Sequence, residues 1–481
     1  MKHKLLPVRS NLIILSISIL ILASCGESVK SPELTEHTVD YEIMVQRATQ
    51  AAIWAMPAVG IMDLQKATIR DLGGTINDVV YLRKPFDSKH GFLTANDVTA
   101  YHWGSLSVEL GPLVLEVPAA SEKVFYFGTI VNAWDQPIED VGPPGADKGK
   151  GGKYLLVPPG YQGSLPEEGY IIRHSDTYTL GFAFRPITQP GATYADAAAH
   201  VKGLKVYYLD EAENPPTTNY LDATDVPYNS LPTYDHTFFE DINDVIQQNP
   251  VREQDKAMIS LLKDLGIEKG QPLNPTEVQK KAMKEGLELA YQSMQSYFLT
   301  EGKAMVPLWK GKSHWQVWNF AEGQPEAGFP YETENEILVD DRAGGSYFWI
   351  TYLPKYLGGG TFYLTGIRDD EGDLLNGTDT YTLNVPADTP AKDFWSVIVY
   401  SMQTKGFVNG ASRVGLSSRD ADFMVPNEDG SYDIYFSAVA PEGFESNWIP
   451  TGEDFFLLFR LYGPESSDFY KSWVLGDIEK I

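Results

Sequence analysis

Cysteine is nearly absent from this chain, with Cys25 alone in 481 residues. A single thiol excludes an internal disulfide framework and every zinc or redox motif built on paired cysteines. Long hydrophobic runs are absent too. The best candidate, Leu12 to Leu22, is interrupted by Ser16 and Ser18. It falls well short of the roughly 20 residues that span a hydrocarbon core. Positive charge is scarce: 38 Lys and Arg stand against 65 Asp and Glu, a net charge of −27. Such a surface is repelled by phosphates, which argues against nucleic acid and anionic headgroups as partners. The His-Glu-x-x-His, Gly-x-Ser-x-Gly and phosphate-loop patterns are also missing. Neither a metal nor a cofactor is expected.

What is present begins at the N-terminus. Lys2, Lys4 and Arg9 precede the short apolar stretch, which runs into Leu22-Ala23-Ser24-Cys25. This has the layout of a signal peptide and resembles a bacterial lipobox ending in a lipidated cysteine. Residues 1–24 are thus expected to be removed and Cys25 to carry acyl chains of the palmitate kind, which hold a protein firmly on a membrane. Gly26, not aspartate, follows the cysteine, so the expected location is the cell envelope, at the outer membrane facing the periplasm or the surface. Residues 25–39, rich in Ser, Glu, Pro and Thr, read as a tether.

Beyond the tether, 27 Tyr, 10 Trp, 42 Gly and 31 Pro suit a β-rich, loop-rich protein. Residues 40–235 read as a helix from Tyr41, broken at Pro57, followed by short strands bounded by Gly or Pro. Residues 236–310 return to helical spacing, with Asn274-Pro275-Thr276-Glu277 opening one helix. Residues 311–481 give seven strand patterns: HWQVWNF, SYFWITYLP, GTFYLTGIRD, DTYTLNVP, FWSVIVYSMQ, SYDIYFSAV and FFLLFRLYGP. The predicted fold is mainly β with a helical connector. It has two β-rich domains, the C-terminal one a jelly-roll-like antiparallel sandwich.

Several motifs carry a family resemblance. In the C-terminal part these are Asp393-Phe394-Trp395-Ser396-Val397, Asn427 to Phe436, Glu445-Ser446-Asn447-Trp448-Ile449-Pro450 and Arg460-Leu461-Tyr462-Gly463-Pro464. Together they resemble the bacterial domain of unknown function numbered 1214. Asn96-Asp97-Val98-Thr99-Ala100-Tyr101, Gly111 to Leu115, Asn132-Ala133-Trp134-Asp135 and Pro159 to Gly163 resemble its usual N-terminal companion, numbered 1254. The chain has Thr94-Ala95 where that pattern usually reads Pro-Asn. The resemblance implies a secreted or envelope protein of two domains and no established reaction.

Candidate binding residues come from aromatic and charged positions. In FFLLFRLYG, alternation puts Phe456, Leu458, Arg460 and Tyr462 on one face, so Arg460 must meet a carboxylate, water or an anionic or hydroxylated ligand. Arg368 stands in the same situation. Trp134-Asp135 and Asn447-Trp448 lie at strand ends, where an indole beside a polar group suits a sugar ring. The expected ligand-binding set is Asn96, Asp97, Tyr101, Trp134, Asp135, Trp395, Asn447, Trp448 and Arg460, with Trp134 and Trp448 facing one shared cleft. No catalytic residue is singled out. The acidic Asp369 to Asp373 reads as a solvated hairpin turn, and Gly142 to Gly152 as a mobile loop. The expected role is binding a polar small molecule or glycan at the domain interface. A hydrolase built from dispersed groups and a purely structural envelope protein are the alternatives.

Overall fold

The structure, a computed structural model, describes residues 36–319, 331–348, 355 and 361–481. Cys25 and the signal segment lie outside the described residues. No described helix is long and apolar enough to cross a membrane. The fold is mainly β. In the N-terminal half a six-stranded sheet runs Tyr220–Asp222, Val79–Tyr81, His102–Ser107, Thr179–Thr188, Val124–Asn132, Pro137–Val141. A four-stranded sheet of Lys205–Tyr208, Leu113–Val117, Gly152–Val157 and Ile171–His174 completes a sandwich. Strand alternation explains the packing: Leu180, Phe182 and Phe184 point into this sandwich with Leu113, Leu115, Tyr154 and Leu156.

The C-terminal half repeats the scheme with other residues. Its six-stranded sheet runs Met305–Pro307, Gln316–Trp318, Thr361–Gly366, Phe455–Pro464, Ala391–Ser401, Gly415–Ser417. Its four-stranded partner is Trp448–Pro450, Tyr432–Ser437, Tyr381–Val385, Glu479–Lys480. Phe455, Leu457, Phe459 and Leu461 fill the space between them with Leu383, Ile434 and Phe436. Below, the two six-stranded sheets are called the N sheet and the C sheet.

Among the described residues the α-helices are α1 Glu36–Leu72, α2 Tyr194–His200, α3 Thr237–Gln248, α4 Lys256–Leu262, α5 Glu277–Leu299 and α6 Val339–Phe348. α1, α3, α5 and α6 form a shared layer against the outward faces of both large sheets. Its core joins Ala52, Met56 and Val59 of α1 to Trp103 and Ala183 of the N sheet and Ile398, Phe456 and Leu458 of the C sheet. Residues 41–481 accordingly form one compact unit.

Three local expectations change. The helix expected to stop at Pro57 continues to Leu72. An interior proline costs about 3 kcal/mol, but nearly every residue from Ala51 to Met62 is buried, and that packing outweighs one lost hydrogen bond. Within Asn274-Pro275-Thr276-Glu277, where Asn274 in front of Pro275 has the sequence pattern of a cap, it is Thr276 that caps α5: its side chain accepts from Gln279 N while the Gln279 side chain accepts from Thr276 N. The strand expected from Ser346 is instead the end of α6 as far as Phe348. Residues 349–354 lie outside the described residues. A Cβ on Gly344 would sit 2.5 Å from the Tyr297 ring, so this helix needs its glycines for close approach, which alternation does not reveal. The acidic segment forms a turn with Asp370, Glu371 and Asp373 exposed, but Asp369 is buried, its Oδ1 accepting from Glu371 N and Asp373 N. The Gly142 to Gly152 loop is pinned by Asp147, whose carboxylate accepts from Gly142 N and Gly151 N.

Candidate ligand-binding cavity

Where the outward faces of the N and C sheets approach each other beyond the helical layer, they leave a cavity of about 1600 Å³. Its walls follow from the strand period. On the N sheet Phe125 and Phe127 alternate with residues of the sandwich core, and Ala183, Arg185 and Ile187 do the same on the neighbouring strand. On the C sheet the corresponding positions are Thr361, Tyr363 and Thr365, then Leu458, Arg460 and Tyr462. Loop residues Phe86, Phe92 and Asn96 line it further. Most of this surface is apolar or aromatic.

The exceptions concentrate in one place. Arg460, only 2% exposed, donates from Nη2 to Tyr400 Oη at 2.7 Å and to the Thr94 carbonyl at 3.2 Å. Among the described residues its Nε and Nη1 have no partner at hydrogen-bond geometry, with the Tyr363 phenol the nearest acceptor in its field. Arg185 donates from Nη1 to Tyr363 Oη at 3.4 Å and lies 4.9 Å from the centre of the Phe127 ring. Among the described residues neither guanidinium has a carboxylate at ion-pairing distance. Of the partners the sequence leaves open for Arg460, a carboxylate is thus not one it meets among the described residues. Arg368, the other candidate, bonds the carbonyls of Gly372 and Leu299 and lies away from the cavity.

The arginines set the titration of their neighbours. Burial would push the Tyr363 phenol up, but the Arg185 and Arg460 charges outweigh it and hold the phenol below its ordinary value. Tyr101, also in the wall, is moved the other way by burial. Asp97 is pushed up to about 7 by burial and by Asp420, against the pull of Arg460. Two cations, phenols and apolar side chains thus share one cavity wall, the groups that suit an anionic head on an apolar body.

The sequence-derived set divides. Asn96, Tyr101 and Arg460 line the cavity, and Asn96 Nδ2 donates to Tyr462 Oη at 2.7 Å, linking the two halves. Asp97 does not line the cavity, and its carboxyl feels the Arg460 charge. The remainder lie outside the cavity wall. Trp134 is buried in the helical layer, 4.5 Å from Trp54 and capped by Arg252 at 4.7 Å. Asp135 is a buried turn residue with φ 57°. Trp395 stacks on Phe459 inside the C-terminal sandwich. Asn447 is buried, with its amide tied to Val425 and Asp433. Trp448 donates from Nε1 to the Ser437 carbonyl at 3.0 Å. Neither Trp134 nor Trp448 lines the cavity, so the shared tryptophan cleft is replaced by an arginine-centred one.

Arg185 and Tyr363 were not anticipated. The signal for Arg185 was legible, since YTLGFAFRPI places one cation on the face carrying Gly181 and Ala183. No signal marked Tyr363. Among the described residues no serine hydroxyl is hydrogen-bonded to a histidine, and no three potential ligands cluster for a metal. His90 bonds the Ala223 carbonyl and His102 bonds Tyr126 Oη.

Two family models match the chain in order. "Protein of unknown function (DUF1254)" covers residues 76–208 and "Protein of unknown function (DUF1214)" covers residues 360–466. No curated protein matches. Among solved structures, the VPA0106 protein from Vibrio parahaemolyticus is similar, with a TM-score of 0.53 and 17% identity over 91% of this chain and 100% of that one. This likeness shows the fold alone. An uncharacterised protein from Burkholderia cenocepacia aligns at a TM-score of 0.38 and 10% identity, over 92% of this chain and 96% of that one.

Proposed function

We propose that this chain, with its DUF1254 region followed by its DUF1214 region, binds a small organic anion with an apolar body between its N and C sheets. The observation that supports this most is the pair Arg185 and Arg460, two cations with no carboxylate at ion-pairing distance among the described residues, on the wall of an aromatic cavity. Burying a cation with unmet donors costs stability, so the Arg460 donors need acceptors from the cavity, which water or an anionic ligand supplies, the anion also meeting the charge. A carboxylate matches the guanidinium fork. A neutral glycan could stack on the same rings but would leave both charges uncompensated, so the anion takes precedence over the sugar. The absence of a serine–histidine pair among the described residues favours a binder over a hydrolase.

The test is Arg460→Met, read by calorimetric titration with hexanoate and with hexanol. Wild-type protein is expected to bind the acid and not the alcohol. The variant should lose about 10- to 100-fold in affinity for the acid, the effect of one hydrogen-bonded charge at ~1.5–3 kcal/mol. Its thermal stability should stay level or rise, because methionine replaces an uncompensated cation. A variant that unfolds, with wild type indifferent to carboxylates, would make Arg460 a structural residue.

We place this binder at the bacterial envelope on the strength of the Leu22 to Cys25 motif. Acylated Cys25 would anchor it through residues 25–39. Cys25→Ser is expected to move the protein out of the detergent-extracted membrane fraction. Mass spectrometry finding an unmodified Cys25 thiol in the wild type would exclude the anchor.

A further inference from the structure

Strand register divides the cavity into levels. On the N sheet Ala183 pairs with Thr129, Arg185 with Phe127 and Ile187 with Phe125. On the C sheet Leu458 pairs with Thr365, Arg460 with Tyr363 and Tyr462 with Thr361. The Arg185 to Tyr363 hydrogen bond puts the two middle levels opposite each other. Adjacent levels are two residues apart, roughly 7 Å along a strand.

The inner level is closed. Ala183 is 4% exposed, Thr129 1%, Leu458 0% and Thr365 3%, and the Thr129 hydroxyl donates to Asp140 Oδ1. The outer level is open: Phe125, Ile187 and Thr361 are all half-buried cavity walls, beside the stacked rings of Phe394 and Tyr462 at 4.0 Å. Beyond it the rim turns polar, with Gln189 at the end of one strand and exposed Lys392 at the edge of another.

We infer that the ligand enters head first, with its anionic group at the Arg185–Arg460 level and its apolar body extending outward past Phe125 and Ile187. This rests on the anion-binding reading above and adds a polarity and a measure of length. An apolar body gains by covering the outer wall, and it gains nothing once its end passes the rim. Because the floor behind the arginines is closed and the mouth is open, affinity should climb with body length and then level off. A tail-first ligand would behave differently, since a closed end would reject long bodies.

The experiment is a calorimetric series on the full chain, using straight-chain carboxylates from propanoate to decanoate. Affinity is expected to rise about fourfold per methylene, the ~0.8 kcal/mol of one buried CH₂, and then to plateau. Ile187→Ser should weaken the longer acids severalfold more than it weakens propanoate, with wild-type unfolding temperature as the control for folding. Should Ile187→Ser fail to fold, the wild-type series decides alone. Affinity independent of length, or falling sharply beyond a short optimum, would overturn head-first insertion while leaving the anion site standing. Failure of every acid to bind would instead remove the anion site itself.

Discussion

Trp134→Ala is expected to lower the unfolding free energy by about 3–5 kcal/mol, as for other fully buried aromatic truncations. Its ring is packed on Trp54 and covered by the Arg252 and Arg342 guanidiniums, 4.7 and 5.7 Å from its centre. Removing it opens a void in the layer that joins both sheets and strips two cations of their aromatic partner. Chemical denaturation measures the loss, and titration of hexanoate into the still-folded variant should show unchanged affinity. Trp448→Ala should cost much less, because that indole is only half-buried and loses one hydrogen bond, to the Ser437 carbonyl. If Trp134→Ala instead kept its stability and lost the acid, tryptophan would be a ligand contact after all.

The second large effect depends on pH. Asp97, whose carboxyl is raised to about 7 chiefly by burial, holds its proton more tightly in the folded chain than in the unfolded one. Between its ordinary 3.8 and about 7 the native state therefore binds more protons, and stability contributed by this group falls as pH rises through that window. Asp97→Asn removes the titration. Relative to wild type it should be stabilising by up to about 4 kcal/mol at pH 8, and by little at pH 4. Denaturation midpoints at the two pH values test this. The same carboxylate bears on the ligand, since ionised Asp97 satisfies part of the Arg460 charge, with Asp420 adding to the negative field. Carboxylate affinity should then weaken above pH 7 in wild type and stay flatter in the asparagine variant. A stability difference that does not change with pH would mean that Asp97 is ionised throughout.

Alternation was enough to assign the faces of most strands. In Phe455–Pro464 it separated Phe459 and Leu461, which pack in the sandwich, from Arg460 and Tyr462, which do not. The same reading marked Arg460 as a residue in need of a partner. It could not say which partner, because a strand's period shows that a side chain leaves the core without showing what lies opposite. The loop tryptophans were misleading for a related reason. An indole at a strand end looks ready for a ligand in sequence, yet its large apolar area is worth most when buried, and α1 was in place to bury Trp134. α1 itself was truncated in the reading because proline is a strong local breaker. Only the surrounding sheets supply the packing that overrides it.

The sequence by itself determined the β-rich class, the helical segment between two sets of strands, the acidic charge balance and the absence of familiar catalytic motifs. These depend on composition and on spacing over a few residues. The tertiary structure alone decided the cavity. Arg185 reaches Tyr363 across 178 residues and Asn96 reaches Tyr462 across 366. Contacts at such separations leave no local period, because they are fixed by how two finished sheets pack around a shared helical layer.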